Sequence, residues 1–209
     1  MSWSEQADAA VRRYEGGRER ELDQRQLTQL ANAAWAAGLC LLMDGRRDEA
    51  GRWLRQAAMR YHESWNLAPP DSWGRPIAAM KALLLARGDA RSTANWTLEK
   101  GAARSESPIG RYAGTLALLV LGRDEEARAL ASTLGERDDF PRDVADALAT
   151  VAASDRAGYL VAVEDVLESF EERDEFLEDV AVADTVLVLQ VLAAARDCAV
   201  DLRESSRLP

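Results

Sequence analysis

One histidine, two cysteines and a run of nine carboxylates are the residues of this 209-residue chain with chemistry beyond holding a fold. His62 stands alone, which excludes paired-histidine metal sites and leaves any Ser-His-Asp triad dependent on a single residue. It lies between Tyr61 and Glu63 near the expected end of a helix, where a cation meets the helix dipole favourably, so a structural role is the plainer reading. Cys40 and Cys198 sit far apart in apolar stretches with no cysteine or histidine at ligand spacing, and are expected to be reduced core residues. Glu164, Asp165, Glu168, Glu171, Glu172, Asp174, Glu175, Glu178 and Asp179 can be drawn as a metal or acid-base cluster. Their mixed helical spacing instead spreads them round an outer face, for which solvation is reason enough; a surface for a basic partner is the alternative. The sequence has no phosphate-cradling glycine loop, His-Glu-x-x-His, nucleophile elbow or twelve-residue calcium loop. No catalytic residue, metal or cofactor is therefore expected.

Tryptophan and arginine carry a different kind of chemistry, that of interface anchors. All six tryptophans, at 3, 35, 53, 65, 73 and 96, fall in the first half, where residues 1–104 hold 16 basic and 13 acidic side chains. The remainder holds 10 basic and 23 acidic, so the net charge of −10 is strongly polarised along the chain. Trp35 and Trp53 fall on apolar helix faces and are expected to fill gaps between helices. Trp65, Trp73 and Arg75, with Arg52 and Arg60, are the candidate partner-binding residues, and Arg46, Arg47 and Arg55 belong to the same basic stretch. The overall acidity disfavours generic adhesion to nucleic acid or anionic lipid, while the polarity permits head-to-tail self-association. Of 26 basic residues only Lys81 and Lys100 are lysine, a bias that fits a GC-rich prokaryotic genome or a salt-adapted proteome.

The elements that must position these residues are helical. In Gly38 to Ala57 a leucine-rich run stops at Asp44-Gly45, where glycine can close a helix in the left-handed conformation. Asp48 can then cap a second helix whose Ala50, Trp53, Leu54, Ala57, Ala58 and Tyr61 recur at helical spacing. The same grammar returns at Leu118 to Ala131, with Gly122 and Asp124 in the matching places, and more weakly around Gly88. The glycines lie 43 and 34 residues apart, the range of tandem helical hairpins.

At these residues the chain resembles the tetratricopeptide family. Its pattern of small and apolar positions is met by Gly38, Leu41, Gly45, Ala50, Leu54 and Ala57, and with identical spacing by Thr115, Leu118, Gly122, Ala127, Ala131 and Leu134. The middle unit departs from it at Lys81, Thr93, Thr97 and Lys100. The resemblance covers about half the chain and implies an all-α array that binds a protein or peptide. The ending RDCAVDLRESSRLP after VLVLQVLAAA resembles some all-α immunity proteins of bacterial polymorphic toxin systems; that likeness carries no functional residues across.

The expected fold is a single all-α domain over 1–209. It comprises a capping helix (1–17), four antiparallel hairpins (20–65, 72–101, 107–135 and 140–178), a closing helix (180–195) and a tail (196–209). The hairpins stack as a short right-handed array or as a more globular bundle. The start of the chain lacks a basic region followed by an apolar core, and no apolar run approaches the roughly 20 residues of a membrane span. A cytoplasmic location is thus expected. Asn95-Trp96-Thr97 spells a glycosylation acceptor inside an expected helix, where it has no meaning. The function expected is a non-enzymatic module holding a protein or peptide partner. An immunity-type inhibitor of a protein toxin and a small enzyme using His62 or the acidic helix are the alternatives.

Overall fold

A computed structural model describes residues 1–17 and 22–209. Among these the fold is all-α, without strands. The helices are α1 (Trp3–Gly16), α2 (Gln24–Met43), α3 (Arg47–Leu67), α4 (Gly74–Leu85), α5 (Arg91–Glu99), α6 (Pro108–Leu121), α7 (Asp124–Gly135), α8 (Arg142–Ala152), α9 (Arg156–Glu171) and α10 (Asp184–Ala194). The expected start of the first hairpin near Arg20 lies outside the described residues.

The chain divides into two compact units. The first comprises Met1–Gly88, Arg173–Asp184 and Ser205–Pro209, the second Asp89–Glu172 and Thr185–Glu204. Sequence neighbours pack together within each: α1 on α2, α2 on α3 and α3 on α4 in the first, and α5 through α9 in succession in the second.

In the first unit, α2 is the central helix. Ser2 caps α1 in a reciprocal capping box with Glu5, and Asp23 does the same for α2 with Gln26, which satisfies the Glu5 amide in the first helix and the Arg25 and Gln26 amides in the second. Between Leu30 and Leu42 every α2 residue except Asn32 is buried, and many are alanine, so neighbouring helices approach closely. Gly38 marks the tightest point, since a Cβ there would meet Leu54 Cγ at 2.6 Å. Leu54 itself is fully buried, so its truncation to alanine removes about 2–5 kcal/mol.

The second unit is built round α6 in the same manner. Its residues from Ala113 to Leu119 are all buried, and a Cβ on Gly114 would lie 2.7 Å from the Ala103 backbone. The last helix packs through polar anchors as well as apolar ones: Gln190 accepts from the Tyr159 hydroxyl (3.0 Å) and donates to the Val200 carbonyl (2.6 Å). That second bond lays the extended Cys198–Leu202 tail against α10.

The two matching turns are geometrically equivalent. Gly45 and Gly122 take φ of 77° and 73°. The next residue, Arg46 or Arg123, donates its amide back to Leu41 or Leu118 (2.9 and 3.0 Å). Each of these arginines also closes a fork on the glutamate three residues on, Arg46 on Glu49 and Arg123 on Glu126, at 2.6–2.8 Å. Asp48 and Asp124 are consequently not caps. The N-cap residues are the arginines, and the aspartates sit in the first turn, where their charge suits the dipole.

Two boundaries differ from expectation. At the end of α4 the left-handed residue is Arg87 (φ 51°), with Gly88 one place later donating to the Leu83 carbonyl (2.8 Å). The closing helix begins at Asp184 rather than Val180, because Glu178 and Asp179 both take left-handed φ (57° and 59°) and no helix can run through them.

Candidate functional site

The five candidate binding residues fall into two groups on opposite sides of α3. Arg52 and Arg60 lie eight residues apart, roughly 80° round the helix from each other, whereas Trp65 lies roughly 140° beyond Arg60. The first group faces α1. The Tyr14 ring meets Trp53 edge-on with centroids 5.2 Å apart, and its hydroxyl accepts from Arg60 Nε (3.2 Å). Arg60 also pairs with Glu63 at 2.6 Å. Arg52 is exposed, 3.8 Å from Glu49.

The second group converges where α3 ends and α4 begins. The rings of Trp65 and Trp73 stand 5.2 Å apart, tilted by 39°. Trp73 is buried, 4% exposed, and its indole N–H donates to Asp71 Oδ1 (3.1 Å), which holds Asp71 at a left-handed φ of 63°. Arg75 turns inward too, donating from Nε to Ser64 Oγ (2.7 Å) and from Nη2 to Gln24 Oε1. Ser64 in turn donates to the Gln24 carbonyl (2.7 Å). Burial pushes the Arg75 guanidinium below its usual range. Trp73 and Arg75 thus tie the α3–α4 connection together, and the outward surface consists of neighbours that the spacing did not single out. Leu67 is 59% exposed, Pro69 and Pro70 are exposed, and Trp65 is half-buried beside them. An exposed leucine at the last position of a helix looks in sequence like any helix-end residue, so no signal was there to find.

The remaining candidates are dispersed. His62 is half-buried on α3. Cys40 and Cys198 are free and buried, and burial pushes the Cys40 thiol up to about 11. In the second unit the acidic run is partly neutralised by the tail, where Arg203 pairs with Glu164 (2.8 Å) and forks on Glu171. In the first unit Glu178 pairs with Arg13 at 3.1 Å. Asp165, Glu168, Glu172, Asp174, Glu175 and Asp179 are exposed. Among the described residues no three of His, Cys, Asp or Glu are grouped to hold a metal ion, and no helix is long and apolar enough to cross a membrane.

Among the described residues of the first unit, cavities open at several places. One of about 570 Å³ lies between α1 and α2, and the charged groups among its described lining residues, Arg13 and Glu178, already neutralise each other. A second, of about 340 Å³, is lined by Tyr14, Arg52, Trp53 and Gln56. A third, of about 300 Å³, lies between the first half of α3 and the end of α4. Compared with known proteins, the chain matches no family model, no curated protein and no solved structure.

Proposed function

We propose that the protein is a non-enzymatic module that holds a protein or peptide partner. The observation that carries this reading is the corner between α3 and α4, where Leu67, Pro69 and Pro70 stand exposed beside Trp65 on a connection that is locked from within. Two prolines, the Trp73–Asp71 bond, the Ser72 hydroxyl donating to the Pro69 carbonyl (2.8 Å) and the Arg75 anchor fix its shape. A surface ordered before binding loses little entropy when a partner docks, so modest apolar contact converts efficiently into affinity. Water gains nothing from a rigid display of leucine and proline; a partner with an apolar patch does.

Affinity capture from the source cell tests the reading, using the wild-type chain and a Leu67→Asp/Trp65→Ala variant with captured proteins identified by mass. One protein retained by the wild type and lost by the variant is the expected outcome. Equal capture by both, or no specific protein with either, removes the α3–α4 corner as the binding surface. Head-to-tail self-association is the competing use of the chain's charge polarity. It predicts a sedimentation coefficient that rises with concentration at low salt and returns to the monomer value at high salt.

A further inference from the structure

The cavity between α3 and α4 has a composition unlike its surroundings. Its floor is Leu42, Leu85 and Ala86, and its rim is Arg47, Arg55 and Arg87, with Asp48 the one carboxylate among its described lining residues. In the same unit Arg13 pairs with Glu178, Arg46 with Asp44 and Glu49, Arg52 with Glu49 and Arg60 with Glu63, while the exposed Arg12 and Arg25 make no ion pair with a described residue. None of the three rim arginines makes an ion pair with a described residue, and all three are exposed. Three exposed guanidinium groups with no ion-pair partner among the described residues thus line one cleft of about 300 Å³ and give it a local excess of positive charge.

Two details show the cleft to be shaped. Arg55 is aimed by its own bond, Nη1 donating to the Ala86 carbonyl (3.3 Å), which occupies a carbonyl at the end of α4 and leaves the other guanidinium edge outward. Arg87 ends α4 in a left-handed conformation (φ 51°), as Ser154 and Asp197 do after α8 and α10 and Gly45 and Gly122 after α2 and α6, and it lines the cleft from the α4 side.

We infer that this cleft binds an acidic peptide segment of the partner, with one or two Asp or Glu carboxylates held by the arginine rim and an adjacent apolar side chain resting on the leucine floor. The inference rests on the binding-module reading and adds the partner's chemistry to it. Guanidinium forks match carboxylates in bidentate geometry, and the apolar floor gives the segment a second, charge-independent contact. A nucleic-acid backbone fits less well: it rewards long tracks of cations that release many counterions, and this rim is short, contains Asp48 and belongs to a chain of net charge −10.

The test is selection from a random dodecapeptide library displayed on phage, panned against the intact protein and then against an Arg55→Gln/Arg87→Gln variant. Both residues are exposed, and an unchanged circular dichroism melt establishes that the variant is folded. The expected result is enrichment of sequences pairing Asp or Glu with a leucine-like residue. Synthetic versions should bind the variant at least about tenfold more weakly, as loss of charge-assisted hydrogen bonds requires. Selected sequences without acidic enrichment, or equal affinity for both proteins, overturns the inference. So does tighter binding of a labelled dT12 oligonucleotide than of any selected peptide. If lysate capture still yields a partner that depends on Leu67 and Trp65 while the Arg55/Arg87 variant behaves as wild type, the binding module stands and the acidic-peptide cleft falls.

Discussion

Arg196 does more for the second unit than any residue that its sequence context advertises. Its side chain is only 8% exposed, and it pairs with Asp124, donates to the Leu119 carbonyl near the end of α6 (2.6 Å) and to the Leu192 carbonyl in the last turn of α10, just before it in the chain (2.9 Å). One guanidinium thereby joins α6, α7 and α10. Replacing it by alanine removes these bonds while Asp124, 36% exposed, can still be hydrated, and is expected to cost about 1–3 kcal/mol in urea denaturation. Arg196→Lys should recover little of it, because an ammonium cannot reach three acceptors in a planar fork. Titratable groups at the same scale fix the pH response. The Ser2 backbone amide holds Glu5 below its ordinary 4.5, and arginine forks do the same for Glu49 and Glu126 and hold Asp139 below 3.8. Their contribution is present above those ordinary values and is lost as pH falls through the lowered folded ones. Burial raises Cys40, Cys198, Tyr61 and Tyr159, so their contribution is present below the ordinary 9.0 and 10.0 and is lost as pH rises. Denaturation midpoints should accordingly decline on both flanks. Cys40→Ala/Cys198→Ala should move the start of the alkaline decline from the thiol range to the phenol range.

Among elements, the two equivalent turns invite the clearest comparison. Gly45 and Gly122 need left-handed φ, so Gly45→Ala and Gly122→Ala should each cost about 1–2 kcal/mol in thermal melts. At Arg87 the change runs the other way: Arg87→Gly should stabilise the chain by up to about 1–2 kcal/mol while removing a rim arginine from the proposed cleft. These turns were legible in the sequence because a leucine run, a glycine and an acidic first turn recur in register, and each has a local cause. The caps were not, because Arg46 and Arg123 occupy the N-cap by closing a fork on a glutamate, which no side-chain preference for caps anticipates. The late start of α10 was hidden for a similar reason. Val180 and Val182 read as helix in an apolar run, and only the backbone reversal at Glu178 and Asp179 excludes them. Lys81 looked like a misfit for a helical hairpin; it is buried because it reaches Asp184 at 2.8 Å, a partner 103 residues away that no local window contains. The candidate site divides along the same line. The aromatic pair at the α3–α4 corner was readable from residue types, whereas the exposure of Leu67 and the grouping of Arg47, Arg55 and Arg87 depend on how helices pack.

At the scale of the whole molecule, the first unit is discontinuous in sequence. Residues 173–184 and 205–209 belong with 1–88, and they bring Glu178 to Arg13, Asp184 to Lys81, and the Arg207 carbonyl to the Ala183 amide (3.0 Å). Arg207 also lies over the Phe176 ring at 5.0 Å. A fragment ending at Gly88 therefore keeps α1 to α4 but lacks residues 173–184 and 205–209, and with them Asp184, the carboxylate that Lys81 pairs with in the full chain. It should show helical circular dichroism without a cooperative melt, whereas the full chain melts cooperatively. The same discontinuity orders events in time. Every residue of the second unit has been translated by Glu204, before Arg207 supplies the carbonyl to which the Ala183 amide donates. Helices α1 to α4 are thus made ahead of the second unit, yet the unit they belong to closes only with residues made after it.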